Sequence, residues 1–121
     1  MYRQGDVLLV PVDSIPASVS KIVPRDGAGR IVLARGEAHG HAHAIKDGAV
    51  TAFRVETAEG DVANRALADF ILVGGSGATL KHELVTGVKA DHDEIALPPG
   101  AYRVVQQREF RDARASARDW D

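Results

Sequence analysis

Short apolar runs separated by glycine and proline recur along the whole chain. Val, Ile, Leu and Thr dominate these runs, and turn-forming residues interrupt them every ~8–12 residues, which is typical of an all-β domain. The predicted strands lie at 6–12, 21–23, 30–37, 49–56, 78–85, 94–97 and 101–110, in the histidine-bearing run before residue 45 and in the run from Phe70. About seven to nine strands in one small domain predict a barrel or a sandwich, with a jelly roll among the options.

Local signals refine the strand order and the end of the chain. The Asp47-Gly48 pair predicts a tight hairpin turn, so that 30–37, the histidine run and 49–56 would form three antiparallel strands. Arginines recur about one helical turn apart from 108 to 118, which predicts a short C-terminal helix or arm. We therefore divide the chain into an all-β domain at 1–110 and a C-terminal tail at 111–121.

The composition is that of an ordinary globular protein. Of the 121 residues, 45% are hydrophobic and 26% are charged, which argues against a disordered chain. The formal charge of −2 gives no general attraction to nucleic acid or to an anionic membrane, so neither is expected as a partner. The sequence shows neither a secretory leader nor an apolar run near the ~20 residues of a membrane span. We therefore expect a cytoplasmic protein.

A row of histidines stands at alternate positions in the stretch GEAHGHAHAI. His39, His41 and His43 share one parity with Glu37, and alanine and glycine occupy the other. Because successive side chains of an extended strand point to opposite faces, this spacing would place three imidazoles and an acid on one face. The chain contains no cysteine, so any metal site would have to use imidazole and carboxylate ligands.

Neighbouring histidines of this row are spaced for metal chelation. The Cβ atoms of an HxH pair on a strand lie ~6.5–7 Å apart, so two rings can meet at one ion with bonds of ~2.1 Å. We expect His41 and His43 to form this pair and His82 to supply the third ligand, with His92 and His39 as the next candidates. Such a site would hold a divalent Zn, Ni or Fe ion and keep an open position for water or a small oxygenated ligand.

Two other interpretations of the histidines stay open. They could form a solvated strand face that binds nothing. They could also serve as acid–base or pH-responsive groups without a metal, because imidazole titrates near neutral pH. The sequence alone does not decide whether the protein is an enzyme.

The chain resembles a group of small uncharacterised bacterial and phage-associated proteins over most of its length. The segments that carry the resemblance are RQGDVLLVPV, GEAHGHAHAI, HELVTGVKADHDEIALPPGAYRV and QQREF. In that group the core of the histidine motif looks like GHAH, which corresponds to Gly40 to His43, and the later segment follows the pattern LPPGxYRVxxQREF. The resemblance implies membership of an uncharacterised family and brings no established activity.

GEAHGHAH and LPPGAYRV also resemble fragments of the two cupin motifs. Cupins are small β-barrels in which a glycine-led HxH pair and a later histidine bind a metal. Lys46 and Asp47 stand where the cupin pattern has a glutamate, and Tyr102 and Arg103 stand where it has its later histidine. A cupin-like barrel would therefore need His82 or His92 as its third ligand.

Three functions are compatible with these observations. The leading hypothesis is a small metal-binding β-barrel protein built on the histidine cluster. The alternative is a non-enzymatic structural or interaction module, phage-related or forming a homo-oligomer through unpaired strand edges and the C-terminal arm. The third is RNA binding through the arginines of the tail, although acidic residues alternate with them and cancel most of their charge.

Overall fold

The computed structural model describes residues 1–35, 40–55, 66–84 and 94–107. In these ranges the chain forms ten β-strands and no helix. The strands are β1 (Tyr2–Gln4), β2 (Val7–Val12), β3 (Lys21–Ile22), β4 (Ile31–Arg35), β5 (His41–Ile45), β6 (Val50–Arg54), β7 (Phe70–Val73), β8 (Ala78–Leu84), β9 (Ile95–Leu97) and β10 (Gly100–Gln106). The predicted C-terminal helix or arm and the predicted boundary at 110/111 lie outside the described residues.

The strands form two antiparallel sheets. One has six strands in the order β1-β2-β10-β7-β6-β3, and the other has four in the order β4-β5-β8-β9. Each described sheet ends in free edges and does not close on itself, so the sandwich alternative is confirmed and the barrel alternative is wrong. Among the described residues there is also no helix of the length and apolarity that a membrane span requires.

One apolar core fills the space between the two sheets. The six-stranded sheet contributes Leu9, Ile71 and Val104, each with no exposed surface, and the four-stranded sheet contributes Leu33 and Ile45 in the same state. These residues occupy alternate positions on their strands, because every second side chain of a strand points to the same face. Stacked sheets pack about 10 Å apart with interdigitating side chains, and this burial holds the sandwich together.

The chain crosses between the sheets immediately after the histidine strand. β5 pairs with β4 and β8, whereas β6 pairs with β7 and β3, so the three-stranded hairpin predicted around Asp47-Gly48 is wrong for its third strand. Arg25 holds the crossover by donating to the carbonyl oxygens of Asp47 at 2.7 Å and Val50 at 3.0 Å. Asp47 in turn accepts a hydrogen bond from the backbone nitrogen of Thr79 at 2.8 Å. These contacts fix the sheet to which each strand belongs.

Candidate functional site

The inward face of the four-stranded sheet changes from apolar to polar along its length. In the middle of the sheet Ile45 of β5 lies opposite Leu80 of β8, and both belong to the core. Two residues along, His43 lies opposite His82, and His41 follows on the same face. The polar end of the sandwich is the end at which β4 and β8 finish and β5 begins.

His43 is the buried centre of the polar end. Its side chain is 1% exposed, and its Nδ1 lies 2.7 Å from Oε1 of Gln4 on the opposite sheet. The amide nitrogen of Gln4 donates to the carbonyl oxygen of Leu80 at 3.2 Å, which leaves the amide oxygen to face the ring. Nδ1 of His43 must therefore carry a proton and donate it to Gln4.

A carboxylate faces the other ring nitrogen of His43. Oδ1 of Asp6 lies 3.7 Å from Nε2, and both side chains are almost completely buried. Gly5, in the turn that precedes Asp6, has a φ of 59°, and a Cβ there would lie 3.4 Å from Cε1 of His43. Glycine therefore permits the left-handed turn and its close approach to the ring.

Gln106 of β10 connects the carboxylate of Asp6 to β4. Its amide nitrogen donates to Oδ2 of Asp6 at 3.1 Å and to the carbonyl oxygen of Arg35 at 2.7 Å. The backbone nitrogen of Gln107 donates to the carbonyl oxygen of Asp6 at 3.0 Å. Side chains of the six-stranded sheet and its first turn thereby hydrogen-bond to groups of the four-stranded sheet, which satisfies polar atoms that the sandwich buries.

Ring contacts connect His43 to two partly buried histidines. The rings of His43 and His82 are stacked, with centroids 4.3 Å apart and planes 3° from parallel. His41 packs edge-on against His82, with centroids 5.2 Å apart and planes at 66°.

We call these side chains the histidine network: Gln4, Asp6, His41, His43, His82 and Gln106. Sequence reasoning identified its three histidines and placed them together, but it missed both glutamines and the aspartate. Gln106 carried a usable signal, because its parity on the last strand matches the inward-facing Tyr102 and Val104. A polar residue on the inward face of a strand indicates a buried hydrogen-bonding partner.

The structure does not support the predicted metal-binding function. Within the described ranges, no group of three or more His, Asp or Glu side chains is arranged to hold a metal ion. The ring geometry gives one reason. The nitrogen lone pairs of the stacked His43 and His82 rings lie in nearly parallel planes and cannot converge on one ion. In addition, Nδ1 of His43 is already hydrogen-bonded to Gln4. The metal-binding β-barrel is therefore wrong as an interpretation of these residues. The further candidates His39 and His92 lie outside the described residues.

Together these observations define the protein as a two-sheet antiparallel β-sandwich with a buried histidine network at one end. The chain belongs to the family described as Domain of unknown function (DUF8820), whose model matches residues 3–107. The match confirms the predicted membership of an uncharacterised family, and its range includes the whole histidine network. It does not show the predicted cupin resemblance. No curated protein and no solved structure matches the chain.

Proposed function

We propose that the protein binds a small oxygenated ligand at the polar end of the sandwich. In this proposal His41 and His82 contact the ligand, and His43 is a positioning residue that holds the ring of His82 in place. The observation that carries the proposal is the burial of His43, which is 1% exposed and held at 2.7 Å by Gln4.

A purely structural role does not explain the free-energy cost of burying the histidine network. Burying polar groups costs free energy unless every one of them finds a partner, and an apolar pair in place of Gln4 and His43 would pack without that requirement. The rest of the interior shows that this fold can build such packing, because Ile45 and Leu80 form an apolar pair two residues from His43 and His82 on the same two strands. Departures from an apolar interior are expected at functional sites, which supports a binding role.

The chemistry of the histidines favours an uncharged ligand. A neutral imidazole offers one N–H donor and one acceptor nitrogen, which match a hydroxyl group or an amide. The negative charge of Asp6 would balance a positive charge on His43. The described part of the site therefore has no excess positive charge to attract an anion. His41 and His82 are partly exposed, unlike His43, but Nδ1 of His41 and Nε2 of His82 are buried, so in this proposal the ligand contacts the other nitrogen of each ring. Imidazoles in this position could also transfer protons to and from a bound hydroxyl group.

Ring resonances of the histidines provide a direct test. The full chain is titrated with sorbitol, acetate and inorganic phosphate to about 10 mM, where a ligand with a Kd of about 1 mM approaches saturation. With sorbitol we expect saturable changes in the ring-nitrogen chemical shifts of His41 and His82. These changes should be lost in His82→Phe. The exposed control Lys21→Ala should show the same changes as the native chain. Absence of saturable shifts with every probe would contradict the proposal, and saturation by the anions alone would contradict the uncharged ligand class.

The location and the oligomeric state of the protein are also part of this proposal. We propose that the protein acts in the cytoplasm, because the sequence has no cysteine and its sandwich needs no oxidising compartment. Cell fractionation tests this location. We also propose that it forms a homo-oligomer, which is supported by the exposed apolar side chains of Ile22 and Leu72 on the six-stranded sheet, 67% and 44% exposed. Sedimentation equilibrium of the full chain tests this association.

A further inference from the structure

A cavity of about 400 Å³ lies at the end of the four-stranded sheet opposite the histidine network, where β8 begins and β9 ends. This volume is in the range of small-molecule sites. The lining combines the polar residues Asp47, Ser76 and Thr79 with the apolar residues Leu97 and Pro98. None of the described residues that line the cavity is basic, so Asp47 gives it a negative charge.

Hydrogen bonds from distant parts of the chain hold the walls of this cavity. Oδ2 of Asp47 accepts from the backbone nitrogen of Thr79 at 2.8 Å, and its carbonyl oxygen accepts from the guanidinium of Arg25 at 2.7 Å. The hydroxyl group of Tyr102 donates to the carbonyl oxygen of Pro98 at 2.6 Å. A site whose groups are held in place before binding loses less entropy when a ligand arrives. The carboxylate is therefore already oriented.

We propose that this cavity binds the ammonium group of a small alkylamine. A primary ammonium carries three N–H donors and no acceptor, which matches the three oxygen-bearing side chains of Asp47, Ser76 and Thr79. A carboxylate that accepts one backbone hydrogen bond can accept others as well. The hydrocarbon stem of the amine packs on Leu97 and Pro98, as the stems of lysine side chains pack on apolar surface.

The basic side chains near the cavity have other acceptors or face solvent. Arg25 donates to backbone carbonyl oxygens at 2.7–3.4 Å, and the amine of Lys81 lies 4.0 Å from a carboxylate oxygen of Glu94. Lys46, the residue before Asp47, is exposed. Asp47 is therefore the charged acceptor of the cavity. Because ion pairs near the surface contribute little in water, we expect a Kd of about 1 mM.

Backbone amide NMR of the full chain tests this proposal with n-butylamine. The amine is protonated at pH 7 and is added to about 10 mM in phosphate buffer. We expect saturable changes in the amide chemical shifts of Ser76, Gly77 and Thr79. Tetramethylammonium has the same charge but no N–H group, and 1-butanol has the same stem but no charge. Neither should give saturable changes at these three residues.

Asp47→Asn should raise the Kd of n-butylamine at least about tenfold, because it removes the charge but keeps an oxygen that can accept from the nitrogen of Thr79. The matched control is Asp69→Asn, since Asp69 also accepts a backbone hydrogen bond, from Val55 at 2.8 Å, but does not line the cavity. It should leave the Kd unchanged. If Asp47→Asn unfolds, Ser76→Ala replaces it, because Ser76 is exposed, and it should raise the Kd at least about threefold.

Three outcomes would overturn the proposal: no saturable change with n-butylamine, equal saturation by tetramethylammonium or 1-butanol, and equal weakening by the two asparagine variants. Calcium chloride provides a further arm, and saturation by calcium at the same three amides without saturation by the amine would also overturn it. The sorbitol titration of His41 and His82 is independent of this result, because those rings lie at the opposite end of the sheet.

Discussion

Nδ1 of His43 lies 2.7 Å from Oε1 of Gln4, and this hydrogen bond joins the second strand of the four-stranded sheet to the first strand of the other sheet. Gln4 is 6% exposed and also donates to the carbonyl oxygen of Leu80 at 3.2 Å, so one side chain satisfies two buried groups. This contact sets which nitrogen of His43 carries a proton.

Gln4→Leu should lower the free energy of unfolding by about 2–3 kcal/mol, because it leaves a buried N–H of His43 and a buried carbonyl without their partner. Urea denaturation measures the change. The exposed substitution Lys21→Ala serves as the control and should change stability by less than about 0.5 kcal/mol. An equally small change in Gln4→Leu would show that the contact does not hold the sheets together.

Gly77→Ala should destabilise the protein by at least about 1–2 kcal/mol. Gly77 has a φ of 96°, and a Cβ there would lie 2.6 Å from the carbonyl oxygen of Leu97, closer than real atoms approach. Gly27→Ala is the matched control, since Gly27 has no strained φ and nothing lies within 4 Å of its Cβ position. Thermal unfolding of the two variants should differ by several degrees, and coincident curves would contradict the geometry at Gly77.

Asp26 stabilises the turn before β4, and its contribution should depend on pH. Its Oδ1 accepts hydrogen bonds from the backbone nitrogens of Arg30 and Ala28, both at 2.9 Å, and its Oδ2 lies 2.9 Å from the guanidinium of Arg30. The backbone hydrogen bond from Arg30 is the largest factor that holds the pKa of Asp26 below its ordinary value of 3.8. A lowered folded-state pKa stabilises the protein above pH 3.8, and this contribution is lost as pH falls through the folded-state pKa.

Asp26→Asn should therefore cost about 1 kcal/mol at pH 7, because the amide keeps an acceptor oxygen for the two backbone N–H groups but loses the charge that strengthens these hydrogen bonds and pairs with Arg30. Urea denaturation at pH 7 and near pH 3 compares the variant with the native chain. The difference between them should shrink at the acidic pH. A difference that stays constant or grows on acidification would contradict the assigned role of the carboxylate.

Tyr102→Phe should lower stability by about 1 kcal/mol, because it removes a 2.6 Å hydrogen bond from the hydroxyl group to the carbonyl oxygen of Pro98. Burial raises the pKa of Tyr102 above its ordinary value of 10.0, and Tyr2 adds to this effect. The raised pKa makes the stabilisation largest below pH 10, with loss as pH rises further. Absorbance titration of the tyrosines should show an ionisation step above pH 10, and this step should disappear in Tyr102→Phe.

The fold class could be predicted because alternation along a strand is local. The parity of Tyr102, Val104 and Gln106 can be read from consecutive residues, and all three face inward as that parity indicates. The sheet to which a strand belongs is not local. The turn at Asp47-Gly48 reads as a hairpin, but Arg25 and Thr79 hold it as a crossover from distant parts of the sequence.

The difference between local and long-range information also explains which parts of the candidate site could be predicted. The histidine spacing correctly indicated a row on one face, and the register of β5 and β8 brings His43 and His82 together. Ring orientation decides whether such a row can chelate a metal, and it depends on Gln4, which lies 39 residues away from His43 in sequence. Gln4 belongs to β1, which has only three residues, two of them polar. A strand this short has no periodic pattern from which it could be predicted.

The protonation of the His43 ring tests the central claim most directly. Long-range proton–nitrogen NMR correlations of the full chain at neutral pH distinguish a protonated ring nitrogen from an unprotonated one. We expect a proton on Nδ1 of His43 in the native chain and loss of this fixed protonation in Gln4→Leu. A native His43 whose Nδ1 carries no proton would contradict the role assigned to Gln4 and, with it, the assignment of His43 as the residue that positions the site.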